Sequence, residues 1–245
     1  MDRSTILRLL MNLAGKGDME LDASIPTSYI ASTCVTYGVA LLRGAFRRHG
    51  ISVVEGKCFI GRGVTLRCKS MIWLGSSVRL QDGVYIDALS RDGVKLGDKC
   101  LLGRNTRIEC TGTLSSIGKG IRIGANSTFG AECYFGAAGG IEIGTDVVAG
   151  QLIRFHSENH VFSDTKALIR EQGVTHQGIT IGDNVWIGAG ATFLDGAHVG
   201  PGCVVAANAV VTSGDYPSDS VIAGVPAKVI YKRNTRSAES GEVCE

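Results

Sequence analysis

The sequence predicts an all-β fold, a parallel β-helix, on three observations: a six-residue period, a glycine-rich and aromatic-poor composition, and one polar interruption late in the repeat. Units of aliphatic, Gly, any, any, small or Val recur in phase, as in Ile60-Gly61-Arg62-Gly63-Val64, Leu74-Gly75-Ser76-Ser77-Val78, Leu102-Gly103-Arg104-Asn105-Thr106 and Ile187-Gly188-Ala189-Gly190-Ala191. In such a repeat the aliphatic residue points into a narrow prism and the small residue fits where the backbone turns a corner. No unit buries its own apolar side chain, so coil must stack on coil. The chain has 245 residues with 34 Gly, 44% hydrophobic and only 6% aromatic residues, which suits a prism filled with Ile, Val, Leu and Ala. The glycines lack a Gly-X-Y period and belong to corners.

Residues 1–55 stand outside the repeat. Ile6, Leu7, Leu9, Leu10 and Leu13 fall on one helical stripe beside Arg3 and Arg8. Tyr29 to Arg48 reads as a second, more apolar helix ending in Arg43, Arg47 and Arg48. Two readings of this segment stand together. It is a helical cap on the first coil, or an interfacial helix whose apolar face (Ala31, Val35, Val39, Leu42, Phe46) and basic end meet anionic lipid. The second reading puts a peripheral membrane contact in residues 1–50.

The β-helix is expected over residues 56–215, with corner loops at 89–93 and 111–116. A longer interruption at 154–178 is the part of the solenoid dense in titratable groups: His156, Glu158, His160, Asp164, Arg170, Glu171 and His176. A C-terminal segment from 216 carries Gly224-Val225-Pro226-Ala227-Lys228, and the polar tail from Asn234 to Glu245 is expected to be disordered.

Composition excludes several functions. A formal net charge of +2 gives no field to steer nucleic acid, and no basic patch is interleaved with aromatics. No apolar stretch approaches the roughly 20 residues that span a bilayer. The 8 cysteines form no CxxC pair, and with no cleavable leader they predict a reduced, cytoplasmic compartment, peripheral to the inner face of the membrane if the helix touches lipid. Cys58, Cys68, Cys100, Cys110, Cys133 and Cys203 lie in or beside repeat units and are expected to be small apolar fillers.

The run His156-Ser157-Glu158-Asn159-His160, then Ile181-Gly182-Asp183-Asn184-Val185-Trp186-Ile187-Gly188, then Ala223-Gly224-Val225-Pro226-Ala227-Lys228 resembles the hexapeptide-repeat acyltransferases, in their sugar and polysaccharide O-acetyltransferase branch. The motif match covers residues 120–232. The resemblance implies a left-handed helix, an exception to right-handed crossovers, assembled as a homotrimer with active sites between subunits. It also implies acetyl-CoA as donor, with no metal required, and a loop histidine facing the thioester.

His160 matches that histidine. A hydroxyl attacks a thioester once a base takes its proton, and imidazole is suited to this near neutral pH. His156, Glu158 and Glu171 are supporting candidates, the carboxylates by fixing an imidazole tautomer; His176 reads as structural. Backbone N–H groups at Gly188 and Ala189 are candidates for stabilising the oxyanion. By the resemblance, Ala189, Ala207, Thr212 and Lys228 contact CoA, and Trp186 packs on its pantetheine arm.

Simple galactoside and maltose acetyltransferases place an asparagine and an aspartate on the coil before the histidine loop. Here that coil reads Gly130-Ala131-Glu132-Cys133-Tyr134-Phe135-Gly136. The acceptor pocket is therefore expected to differ, and a lipid-linked or polymeric glycan fits better than a free disaccharide. Tyr134 and Phe135 are candidates for stacking on a sugar, although the period places Phe135 inside the prism. N-acetylation of an amino sugar is the rival reaction, since one base serves both nucleophiles. A zinc enzyme like the γ-class carbonic anhydrases would need three converging histidines, and His156, His160 and His176 do not resemble that ligand set in spacing. An inactive β-helix scaffold would not require the titratable loop.

Overall fold

The computed structural model describes residue 22 and residues 24–233. The stripe from Ile6 to Leu13 and the tail from Asn234 to Glu245 lie outside the described residues. The described chain folds as one long helix, α1 (Thr27–Arg47), and a left-handed parallel β-helix whose coils contribute to three sheets of 8, 9 and 7 strands. The first sheet runs from Val53–Val54 to Gly214–Tyr216, the second from Cys58–Ile60 to Ser220–Gly224, and the third from Thr65–Arg67 to Val210–Val211. The solenoid thus begins before residue 56 and continues beyond 215, because Val204 and Val205 still pair in parallel with Val221 and Ile222. Ala227–Lys232 then folds back antiparallel on that last strand.

The six-residue period works because each strand alternates inward and outward while each corner needs a backbone that turns sharply. Inward residues such as Ile121, Ile141 and Ile179 stack in register and are buried. Corner residues take the left-handed conformation, with Asn105, Asn126, Asn184 and Asn208 at φ between 55° and 60°, where Asn is among the few non-glycine residues tolerated. The corner N–H groups reach neighbouring coils, as in Gly61 N–H to Leu80 O at 2.8 Å and Asn105 N–H to Asp82 O at 2.9 Å. Backbone donors are thereby satisfied between coils rather than within them.

Phenylalanines fill the core where the polar loop departs. Phe135, Phe155 and Phe193 stack face to face with centroids 5.0 and 4.7 Å apart, the spacing of adjacent strands. Phe129 meets Phe135 edge-on at 5.1 Å. Phe135 is fully buried, so of the two aromatic candidates on this coil Tyr134 alone faces outward.

α1 lies against the outside of the first strand of the second sheet. Gly44 is its buried residue, and a Cβ there would collide with the Cys58 carbonyl oxygen. Tyr37 meets Phe59 edge-on at 5.8 Å. The opposite stripe of α1, Val35, Val39, Leu42 and Phe46, is exposed, and no described helix is long and apolar enough to cross a membrane.

Cys58, Cys100, Cys110, Cys133 and Cys203 are buried fillers. Cys68 is a correction: it is exposed, at φ 51°, where the chain leaves the third sheet into a short 3-10 turn (Lys69–Met71). Burial pushes the Cys100 and Cys133 thiols up to about 11 and Cys110 up to about 12, so they stay protonated and unreactive.

Two outcomes are expected. Iodoacetamide at pH 8 labels Cys68 in the native protein and reaches Cys100, Cys110 and Cys133 only after unfolding, as read by peptide mass spectrometry. Phe155→Ala, which empties the middle of the phenylalanine stack, destabilises the protein by about 3–5 kcal/mol in a denaturant melt. A loss under 1 kcal/mol would mean that the stack is not tightly packed.

Candidate active site

The titratable loop leaves the prism at the corner between the third and first sheets, after Arg154–His156, and returns at Ile179–Ile181. Its two arms pair as a short antiparallel ladder, Asn159 with Thr175 and His160 with Val174. His160 is exposed there, on ordered backbone rather than at a free tip.

Two buried polar residues hold the roots of this ladder. Ser157 donates to Gly136 O at 2.8 Å and accepts from Gly139 N–H at 3.0 Å. Asp195, fully buried one coil further on, accepts from Gln177 N–H at 2.9 Å, Gly178 N–H at 2.8 Å and the Thr175 hydroxyl at 3.2 Å. Charged acceptors with several donors make strong, directional anchors. The path from Asp195 through Thr175 leads to the strand of Asn159 and His160 and anchors its backbone. Sequence reading missed Asp195; the available signal was a charged residue in Phe193-Leu194-Asp195-Gly196, where the repeat favours small or apolar groups.

His156 faces outward from the third sheet into a cleft of about 150 Å³ that includes Glu109, Tyr134, Ser157 and Glu158. Its ring lies 5.5 Å from that of Tyr134, and Tyr134 donates to Glu109 at 3.1 Å. Burial, then the Arg154 guanidinium, push the His156 imidazole below its ordinary value, which favours the neutral form. Glu158 bonds His176 Nε2 at 2.7 Å, so its tautomer-fixing partner is His176 and not His160. Glu171 lies exposed in the 3-10 turn (Ile169–Glu171) of the loop, with no side-chain partner among the described residues. The three loop histidines thus take different environments, and among the described residues no three His, Cys, Asp or Glu side chains converge in a metal-binding arrangement.

The cofactor candidates gather elsewhere. Trp186 is 58% exposed on the second sheet, opposite Val204. Gly188, Ala189 and Ala207 form the corner between the second and third sheets on adjacent coils; a Cβ at Gly188 would collide with the Ala207 backbone. The Gly188 N–H donates to Val205 O at 2.7 Å, which removes it as an oxyanion donor. At three corners the next coil offers a carboxylate: Asp82 accepts from Arg62 N–H at 2.6 Å, Asp98 from Ser76 N–H at 2.7 Å and Asp183 from Thr145 N–H at 2.6 Å. Ala189, like Arg104 and Ala131 at the same edge of the prism, is at a corner without one: above it stands Ala207, which has no side-chain acceptor, and the Ala189 N–H has no protein partner among the described residues. Thr212 lies within 3.4 Å of the Tyr216 hydroxyl, which itself donates to Ala227 O, and Lys228 is exposed on the terminal hairpin opposite Ala223.

Among the described residues no hydrogen bond or ion pair joins the loop of His160 to the corner of Ala189. The loop of His160 and the corner of Ala189 thus stand at different corners of the prism.

Comparison with known proteins adds identity to this geometry. A profile described as bacterial transferase hexapeptide (six repeats) matches residues 178–213, and one for the hexapeptide repeat of succinyl-transferase matches residues 120–150. The chain is 30% identical over 184 residues to "Probable acetyltransferase Rv3034c" of Mycobacterium tuberculosis, covering 74% of this chain and 52% of that protein. It is 52% identical over 56 residues to "Putative lipopolysaccharide biosynthesis O-acetyl transferase WbbJ" of Escherichia coli, covering 23% of this chain and 28% of that one. It is 54% identical over 52 residues to a 2,3,4,5-tetrahydropyridine-2,6-dicarboxylate N-acetyltransferase of Staphylococcus aureus, covering 21% of each. The matches span about half or less of these relatives' lengths. A variant of AntD, an N-acyltransferase from Bacillus cereus solved with dTDP and coenzyme A, shares the fold with a TM-score of 0.52 at 18% identity, covering 80% of this chain and 91% of that one. With the repeat, the stacked parallel coils and these matches together, the solenoid of this chain belongs to the hexapeptide-repeat acyltransferase family.

Proposed function

We propose that the protein is an acetyl-CoA-dependent O-acetyltransferase acting on a saccharide hydroxyl of a cell-envelope or exopolysaccharide glycan. The observation that carries this reading is His160 on a two-stranded ladder whose base is anchored by the buried carboxylate of Asp195. A base held in this way suits proton abstraction, since a catalytic group contributes most when its position is set before substrate arrives.

In this reading His160 removes the acceptor's proton as the hydroxyl oxygen attacks the thioester carbonyl carbon. The C–S bond then breaks, the acetyl ester forms, and CoA leaves as the thiol with the proton returned by the imidazolium. The open N–H of Ala189 stabilises the developing oxyanion, with Trp186, Ala207, Thr212 and Lys228 along CoA. Tyr134, Glu109 and His156 line the acceptor side, where a phenol ring can stack on a sugar.

The separation of the His160 loop from the Ala189 corner supports a homotrimer in which one copy's His160 faces the next copy's Ala189. The outward column of the second sheet supports it as well: Leu101, Val148, Trp186, Val204 and Val221 follow one another around a single Thr128, and such an apolar strip favours burial against a second copy. N-acylation of an amino sugar is the second reading, motivated by AntD, which has been solved with dTDP-4-amino-4,6-dideoxyglucose and coenzyme A.

Two variants test the assignment in a CoA-thiol release assay with a panel of saccharides and amino sugars. His160→Ala is expected to lower kcat by about 10²–10⁴ while acetyl-CoA still binds; turnover equal to wild type would exclude His160 as the base. Asp195→Asn removes charge-assisted bonds worth about 1.5–3 kcal/mol each. It is expected to lower kcat with little change in the KM for acetyl-CoA and to speed amide exchange at Gln177 and Gly178. Unchanged exchange would show that Asp195 is not the anchor.

A further inference from the structure

The first coils of the second sheet carry a cavity that the acyl-transfer reading does not use. In the outward column, Phe59 is followed by Arg79 and then Leu101. α1 covers Phe59 and stands away from the next coil, leaving about 380 Å³ between helix and sheet. One face of α1, with Tyr29, Thr33 and Tyr37, forms one wall; Arg79, Gln81 and Asp82 form the other, and Arg104 enters from the coil above.

Arg79 and Arg104 differ from the paired arginines of the third sheet. On the third sheet Arg67 pairs with Asp87 at 3.0 Å and Arg107 with Glu109 at 2.5 Å. Among the described residues, neither the Arg79 nor the Arg104 side chain has an ion pair or hydrogen bond to protein, and neither do the hydroxyls of Tyr29, Thr33 and Tyr37. Asp82, the one carboxylate in the wall, is turned to the Arg62 N–H at 2.6 Å. Arg79 is half-buried. A guanidinium withdrawn from water without a counter-charge is costly, and its planar donor fork matches phosphate oxygens.

We propose that this cavity is a second ligand site, for a diphosphate ester, with Arg79 and Arg104 on the phosphates and the phenols of Tyr29 and Tyr37 against the organic body. Arg79 lies three strand steps, about 14 Å at about 4.8 Å per step, below the coil from which the His160 loop departs, and the cavity shares no lining residue with the cleft of Glu109, Tyr134 and His156. It is therefore separate from the proposed acyl-transfer site and does not depend on that assignment. The organic body comes from one of two sources. A nucleotide would use the tyrosine rings alone, whereas an isoprenoid would also use the exposed stripe of Val35, Val39, Leu42 and Phe46 on the far side of α1.

The test is calorimetric titration of the full chain, without CoA, with inorganic pyrophosphate, uridine diphosphate and farnesyl diphosphate. At least one diphosphate is expected to bind, and Arg79→Gln and Arg104→Gln are each expected to weaken it at least tenfold with an unchanged melting temperature. Arg122→Gln, on the outer face of the first sheet, is expected to bind as wild type. Tighter binding of uridine diphosphate than of pyrophosphate assigns a nucleotide, and tighter binding of farnesyl diphosphate assigns a lipid carrier. Absence of binding by all three probes, or binding that Arg79→Gln and Arg104→Gln leave unchanged, overturns the proposal. Failure here would leave acetyl transfer by His160 untouched, because that reaction is read in a different assay.

Discussion

Everything in this molecule depends on the requirement that each coil satisfy its backbone and bury its apolar residues on the coils directly above and below. A three-residue strand such as Ile141–Ile143 has neither the hydrogen bonds nor the buried area to persist alone. In register with Ile121–Ile123 below and Ile179–Ile181 above, it is paired on both edges and its isoleucines close a continuous core. That register also explains the phenylalanine stack, since inward residues at one position must follow one another at the strand spacing. It dictates where insertions occur as well. A strand cannot be interrupted without breaking two ladders, so the loop of His160 leaves from a corner, and Ser157 and Asp195 close the gaps in hydrogen bonding at its roots.

The same constraint makes corner chemistry legible one residue at a time. A corner N–H meets whatever side chain the next coil places over it. Where that residue is Asp82, Asp98 or Asp183 the donor is occupied, and over Ala189 the residue is Ala207 and the donor is open. The absence of a carboxylate one coil away leaves that donor free for a ligand. In the proposed arrangement base and donor sit on different corners, and a neighbouring copy would bring them face to face.

Much of the fold was readable because a period of six leaves few alternatives. The inward position of Phe135 and the filler role of most cysteines follow from phase, whereas the interruption expected from residue 154 begins only after His156, because Arg154–His156 still pairs in register with Tyr134–Gly136. Cys68 departed from this pattern because the chain there leaves the repeat through a left-handed residue, a local turn that the phase does not encode. The Glu158 and His176 pair was not readable, since the two residues are separated by the length of the loop and meet only when its arms pair. Asp195 escaped notice for a related reason: its donors are backbone groups of a segment outside the repeat. The seat of α1 was hidden in one glycine, Gly44, whose meaning appears only once Cys58 lies beneath it.

If, as proposed, a second copy completes the site, complementation between two inactive variants will restore it. Protomers carrying His160→Ala lack the base, and protomers carrying Ala189→Trp block the corner proposed for the thioester. Each alone is expected to be inactive. Unfolded and refolded together, they should recover a fraction of wild-type acetyl transfer, because some interfaces then pair an intact base with an intact corner. Mixed oligomers that assemble, bind acetyl-CoA and still transfer nothing would contradict the account.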